Sequence, residues 1–238
     1  MLGVVFTAAG MRRGAIRVLP LQIGMLPFGI VIGVLADAKG LSLLEVMLMS
    51  GLVFAGAAQL LALELWTEPV SVLGAAVAAL VVNIRMAPMG AALAPWLDRL
   101  RGWRLWGTLA TLVDHSFALA VAEQRAGARD AGFLLGAGLC LWLGWVGFVA
   151  AGHVLGATVQ MPAGHPLYFA APACFVSMLV ALWRGARTDL LPWVLAGGAA
   201  ALAHRAGLPA PVPLLLGTFL GAGAAAWRDM RQQRGADA

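Results

Sequence analysis

A chain of 238 residues that is 61% hydrophobic and 11% charged, with a mean hydropathy of +0.87, has too little polar surface to stay dispersed in water as a globular domain. The formal net charge of +5 comes from arginines at the ends of apolar runs, not from a folded basic face, so the composition also excludes a nucleic-acid-binding domain. What remains is a polytopic membrane protein whose solvent is the lipid bilayer.

The apolar stretches are continuous and rich in Ala, Leu and Gly, without the alternation of barrel strands, so the spans are helical. A spanning helix needs about 20 mostly apolar residues to cross roughly 30 Å of hydrocarbon. Candidate spans lie near 18–36, 46–63, 69–97, 105–122, 131–152, 166–183, 190–203 and 208–227. The expected fold is all-α: a polytopic helical membrane protein of about seven or eight transmembrane helices, some broken or re-entrant. No linker interrupts the chain, so 1–238 reads as one domain.

At the N-terminus a short apolar stretch, Leu2 to Ala9, precedes Arg12, Arg13 and Arg17. That reverses the order of a secretory signal, so the segment is expected to be retained. The first span carries Pro20, Gly24, Pro27, Gly29 and Gly33. Proline in a helix removes a hydrogen bond and frees a carbonyl, so the span is predicted to be kinked or discontinuous, with Pro27 a candidate substrate-binding position. An ordinary proline kink is the competing reading. Gly29 with Gly33 is a small-xxx-small pair suited to close helix packing. Gly51 and Ala55 continue on one predicted face to Gln59, whose amide must find a partner or water inside a span and is a second candidate.

In the third span, Arg85 interrupts an apolar run, with Asn83 just before it and Pro88 and Pro95 after it. A charge inside lipid costs several kcal/mol, so it faces a bundle interior or a wet cavity. Unwound backbone beside a guanidinium suits a carboxylate, making Asn83 and Arg85 candidate substrate-binding residues; snorkelling of Arg85 to an interface is the alternative. Asp114 lies about 13 Å of helix rise from Leu105, with Thr111 one turn before it and His115 beside it. A carboxyl at that depth suits substrate binding and proton exchange, with His115 as its proton-coupling neighbour. A structural ion pair with Arg85 is compatible with both roles.

Trp142 and Trp145 fall inside the next span, as lipid-facing bulk or as a wall against an apolar substrate. Trp66, Trp96, Trp103, Trp106, Trp183, Trp193 and Trp227 stand near span ends, where indoles anchor at headgroup level. Cys140 and Cys174 read as buried free thiols, and His153, His165 and His204 as loop residues. Gly217 and Gly221 form another small-residue face, on which a second membrane protein could pack if that face is external. With eight spans and a cytoplasmic N-terminus, the inside segments hold Arg12, Arg13, Arg17, Arg125, Arg129, Arg184, Arg187, Arg228, Arg231 and Arg234. The outside ones hold Lys39, Arg99, Arg101, Arg104 and Arg205. The bias puts both termini inside, with Arg99, Arg101 and Arg104 discordant unless 69–97 is a re-entrant hairpin. No metal-ligand spacing, nucleophile elbow or phosphate loop occurs, so neither an enzyme nor a cofactor or metal site is expected.

The segments PFGIVIGVLA (27–36), SLLEVMLMSGLVFAGAAQLLAL (42–63), NIRMAPMGAALAPWL (83–97) and LVDHSFALA (112–120) together resemble the AzlC-type branched-chain amino acid permeases. FAGAAQ and the Asn-x-Arg element are the specific parts; the second half of the chain matches mainly in hydropathy. The resemblance implies a secondary active transporter in the bacterial cytoplasmic membrane. It would move apolar amino acids outward with proton coupling, alongside a small AzlD-type membrane partner and with oligomerisation left open. Met86 and His115 depart from residues common in that family. Arg85, Asp114 and the first span supply the cation, the anion and the exposed carbonyls that an amino-acid zwitterion needs. A non-transporting scaffold subunit and a channel for another small solute are the rival functions.

Overall fold

The structure is a computed structural model that describes residues 4–64, 66, 72–84, 86–158, 169, 173, 176, 183, 185–208 and 212–236. Helix dominates, and the described residues form no strand beyond an isolated parallel bridge between Val5 and Asp130. Two described helices are long and apolar enough to cross a membrane, α1 (Ala8–Ala38) and α9 (Gly132–Thr158). At 1.5 Å per residue they are about 46 and 40 Å long. Between them lie α2 (Leu43–Val53), α3 (Gly56–Glu64), α4 (Val72–Asn83), α5 (Met86–Ala92), α6 (Ala94–Leu97), α7 (Trp103–Ala110) and α8 (Asp114–Arg125). A π turn (Ala186–Leu190), α10 (Leu191–Arg205) and α11 (Val212–Ala236) follow.

Helices α1 and α9 run parallel in contact along their length. Gly14 abuts the backbone of Phe133 and Ala137, Gly136 that of Met11, Gly29 meets Phe148, and Gly33 the backbone of Val149 and Gly152. The residue numbers rise together on both helices. Without side chains at these positions the backbones approach closely, and dispersion holds them together in a solvent as apolar as themselves. Val18, Phe28, Val31, Ile32, Leu141, Trp145 and Val149 form the buried core alongside this seam. The discontinuity expected in the first span does not occur. α1 remains one helix through Pro20 and Pro27, both on its exposed side, and the contact with α9 supports it on the other.

The breaks fall elsewhere. The window 46–63 is two helices, α2 and α3, that together make a hairpin. It leaves from the C-terminal end of α1, where His153 Nε2 lies 2.8 Å from the Leu41 carbonyl oxygen and a Ser42–Glu45 capping box starts α2. It returns to the same end, where Lys39 Nζ donates to the Trp66 carbonyl at 3.3 Å. The chain then crosses in pieces. α4 packs on α3, and by Leu93, Trp96, Leu97 and Leu100 the chain lies with Ala131, Phe133 and Leu134 at the other end of the bundle.

The window 105–122 is a second hairpin, α7 and α8, entering from that other end. Trp103 meets Phe6 edge-on at 5.9 Å, and the Arg104 guanidinium lies 5.1 Å from the Phe6 ring centroid. After α8 the chain is back beside the N-terminus, since Val5 N–H donates to the Arg129 carbonyl and Ala131 N–H to the Val5 carbonyl, both at 2.9 Å. A crossing followed by a hairpin from its exit end therefore occurs twice, in opposite senses, over 8–64 and 72–125.

This path corrects the charge topology. Arg99, Arg101 and Arg104 stand at the same end as Arg12, Arg13, Arg17, Arg125 and Arg129, with Lys39 at the opposite one. The three arginines expected to be discordant therefore share one end of the bundle with the N-terminal and 125–129 arginines. Trp96, read as an interfacial anchor, is instead core at 3% exposure, whereas Trp103 and Trp106 are outward at 65% and 70%. His153, read as a loop residue, is buried within α9, and His204 lies in the last turn of α10. Gly217 and Gly221 face Pro192, Ala196 and Ala200 across the α10–α11 pair, so this small-residue face is used within the chain and not for a partner. Of the window 166–183 only 169, 173, 176 and 183 are described, and His165 and Cys174 lie outside the described residues.

Candidate functional site

The two hairpins enter from opposite ends of the bundle, and both tips pack on α9 between Gly138 and Trp145. At the first tip α2 stops at Phe54, a buried residue held at φ +40°. A left-handed conformation costs a bulky L-residue about 1–3 kcal/mol and persists only where its surroundings over-determine it. The surroundings are visible. Trp142 Nε1 donates to the Gly51 carbonyl at 2.9 Å, and Gly56, opening α3, lies under the rings of Phe28 and Trp145. Trp145 Nε1 donates to Gln59 Oε1 at 2.8 Å, and Gln59 Nε2 donates to Ser50 Oγ at 2.8 Å. Ser50, Gln59 and Trp145 are almost fully buried, so one satisfied chain of hydrogen bonds ties both arms of the hairpin to α9.

At the second tip α7 ends at Thr111, whose side chain rests on Gly138, and α8 begins at Asp114. Ser116 Oγ folds back on the break, accepting from Val113 N–H and donating to the Val113 carbonyl, both at 3.0 Å. Gly138 and Trp142, the contacts of the two tips on α9, are four residues apart, about 6 Å of rise. Each tip is the start of a half-helix, α3 at Gly56 and α8 at Asp114. The first-turn N–H groups of both, which lack intrahelical acceptors, and the positive ends of both dipoles therefore lie in the interior of the bundle. Asp114, half-buried in the first turn of α8, sits where that dipole favours a negative charge.

The sequence candidates separate on this geometry. Asp114 and His115 are at the second tip, at the start of a helix and not in the middle of one, and both are half-buried. Gln59 is at the first tip, with both ends of its amide engaged by Ser50 and Trp145. Asn83 closes α4 immediately before the break in the third span, and its Oδ1 is buried with no hydrogen-bond partner among the described residues. Arg85 itself, and with it the suggested Arg85–Asp114 pair, lies outside the described residues. Pro27 is exposed on α1; its neighbour Phe28 faces inward, 5.3 Å from the Trp145 ring.

Sequence reading missed Phe54 and Ser116, and it offered Trp145 as lipid-facing bulk or as a wall against substrate, whereas Trp145 is buried at 2% exposure and bonded to Gln59. The order Val113-Asp114-His115-Ser116 carries a helix-start signature, an acid in the first turn and a hydroxyl three residues past the cap. Nothing in the sequence marks Phe54 as left-handed. Asp130 was missed too: it accepts from the Thr7 N–H at 3.0 Å, the Thr7 hydroxyl and the Gly132 N–H at 3.1 Å, with Arg13 Nη2 at 3.7 Å. It fastens the start of α1 to the start of α9. The described residues contain no cluster of three His, Cys, Asp or Glu that would hold a metal.

A profile of the family described as AzlC protein matches residues 20–159, which runs from within α1 to the end of α9 and includes both hairpin tips. The chain belongs to the AzlC family. An archaeal relative, an uncharacterized membrane protein of Archaeoglobus fulgidus, is 31% identical over 198 residues, covering 82% of this chain and 85% of its own length. No solved structure matches. Family membership makes this AzlC chain a membrane protein of branched-chain amino acid transport, a transporter family and not an enzymatic one. The profile match ends at the end of α9, and the alignment with the archaeal relative extends beyond it.

Proposed function

We propose that this AzlC protein is a secondary active transporter that exports branched-chain or similar apolar amino acids across the bacterial cytoplasmic membrane, coupled to protons and working with a small AzlD-type membrane subunit. The observation that carries the reading is the packing of two oppositely entering hairpin tips on α9 at Gly138 and Trp142, about one helical turn apart. Discontinuous helices whose N-termini face each other inside the bilayer are how secondary transporters hold anionic substrate groups, and repeated segments of opposite sense let a site open to one side at a time.

In this reading the substrate carboxylate takes the first-turn N–H groups of α3 together with Arg85, oriented by Asn83. Its ammonium takes Asp114, and its aliphatic side chain takes the apolar wall between the tips. Gln59 holds the first tip in shape through Ser50 and Trp145 and does not donate to the substrate. Asp114, with His115 next to it, exchanges the proton, because binding of an ammonium and of a proton compete for one carboxylate. The scaffold reading has no use for two helix breaks packed on one stretch of α9, the first of them strained at Phe54, and an uncoupled channel has no use for a carboxyl at the second.

The test is leucine transport in proteoliposomes carrying this chain with and without the small subunit, under an imposed pH gradient. Wild type accumulates label in response to the gradient. Asp114→Asn is expected to lose that response while retaining leucine exchange. Gradient-driven accumulation that survives in Asp114→Asn would refute the coupling role, and absence of any leucine counterflow in wild type would refute the transport reading.

A further inference from the structure

The basic end of the bundle carries a cleft that the transport reading leaves unused. It is lined by Ala94, Pro95, Asp98, Arg99 and Arg101 and has a volume of about 620 Å³. Its floor is fixed, because Trp96, Leu97 and Leu100, interleaved with the lining residues, are buried in the core with Phe133 and Leu134. Arg101 is also held in place: its Nη1 donates to the carbonyls of Asp98 and Leu100, both at 2.8 Å. That leaves the Nε and Nη2 donors of a pre-oriented guanidinium, beside a second guanidinium at Arg99.

We propose that this cleft binds the headgroup of an anionic phosphoglycerol lipid of the cytoplasmic leaflet. Two arginines, one of them held by backbone carbonyls, suit a single phosphodiester, whose paired oxygens match the fork of a guanidinium. Asp98 repels a second phosphate but accepts from hydroxyl groups, which a glycerol headgroup presents on the far side of its phosphate. The chain that follows supplies the apolar half of the site. Trp103, Trp106 and Leu109, spaced three residues apart on α7, are 65%, 70% and 36% exposed, a stripe of the kind that lies along acyl chains at headgroup level. Arg104 is turned onto Phe6 and Trp103 and adds to the positive field at the rim. Lipid bound here would bridge α6 and α7, the joint between the broken crossing and the second hairpin.

The experiment is native mass spectrometry of the chain released from nanodiscs of equal parts phosphatidylglycerol, phosphatidylethanolamine and phosphatidylcholine. Wild type is expected to retain phosphatidylglycerol about tenfold over either zwitterionic lipid, the effect of one charge-assisted contact. Arg99→Gln with Arg101→Gln should abolish the preference. Arg12→Gln with Arg17→Gln, which removes the same charge from the same end, should keep it. Thermal midpoints within a few degrees of wild type in both double variants confirm that each is folded. Equal retention of phosphatidylethanolamine, an unchanged preference in the Arg99/Arg101 variant, or equal loss in the Arg12/Arg17 control would overturn the proposal. So would displacement of the retained lipid by inorganic phosphate at 10 mM, about the level of a cellular anion pool, because the cleft would then be a soluble-anion site.

Discussion

Removing the indole N–H of Trp145 isolates the part of the first hairpin tip that is purely polar. Trp145→Phe keeps an aromatic ring against Phe28 and Gly56 but takes away the donor to Gln59 Oε1, leaving a buried amide oxygen without a partner. An unsatisfied buried acceptor costs about 1–3 kcal/mol, and the lost ring area adds a smaller packing term. For a chain of this size each kcal/mol moves the thermal midpoint by about 2–4 °C, so a drop on the order of 2–12 °C is expected. Gln59→Leu strands the Trp145 N–H instead, while Ser50 can turn its hydroxyl to the carbonyl of Val46 one turn back, and should cost about as much. The double variant removes the Trp145 donor and the Gln59 acceptor together. Its loss should therefore fall short of the sum of the single losses by about 1–2 kcal/mol, the coupling expected of residues in one network. The assay is fluorescence-detected size exclusion after heating in mild detergent, on all four proteins. Additive losses, or a Trp145→Phe midpoint equal to wild type, would refute the assignment of Gln59 as a tie between the hairpin and α9.

The seam between α1 and α9 gives a sharper contrast. Gly33→Leu would drive a side chain into the backbone of Val149 and Gly152, which cannot move aside, and should abolish folded, monodisperse protein. Gly24→Leu on the same helix meets nothing within 4 Å and should express like wild type; equal behaviour of the two would contradict the parallel packing. Single cysteines placed by Lys39→Cys and Arg101→Cys in a cysteine-free background should react with an impermeant maleimide from opposite sides of the membrane. Labelling of both from one side would undo the two-hairpin path and the charge topology built on it.

Class and solvent were settled by composition, because no arrangement of a chain 61% hydrophobic hides its surface from water, and continuous apolar runs admit only helices in lipid. The close-packing role of Gly29 and Gly33 was legible for the same local reason, since a missing side chain acts wherever the residue lies. The place of Asp114 at the head of α8 did not follow from the hydropathy window, which read it as the middle of a span. What hydropathy could not distinguish was a helix that crosses from one that turns back. The windows 46–63 and 105–122 have the length and apolarity of spans, yet each breaks and returns because Trp142, Trp145 and Gly138 on α9 hold the tips, over sequence separations that no local pattern records. The same blindness misplaced the Pro20 and Pro27 break, where α9 keeps α1 continuous, and the Gly217–Gly221 face, which α10 covers. Local chemistry determined what each segment tolerates. Only the packing of distant segments against α9 decided where the chain reverses, and so which end of the molecule carries its arginines.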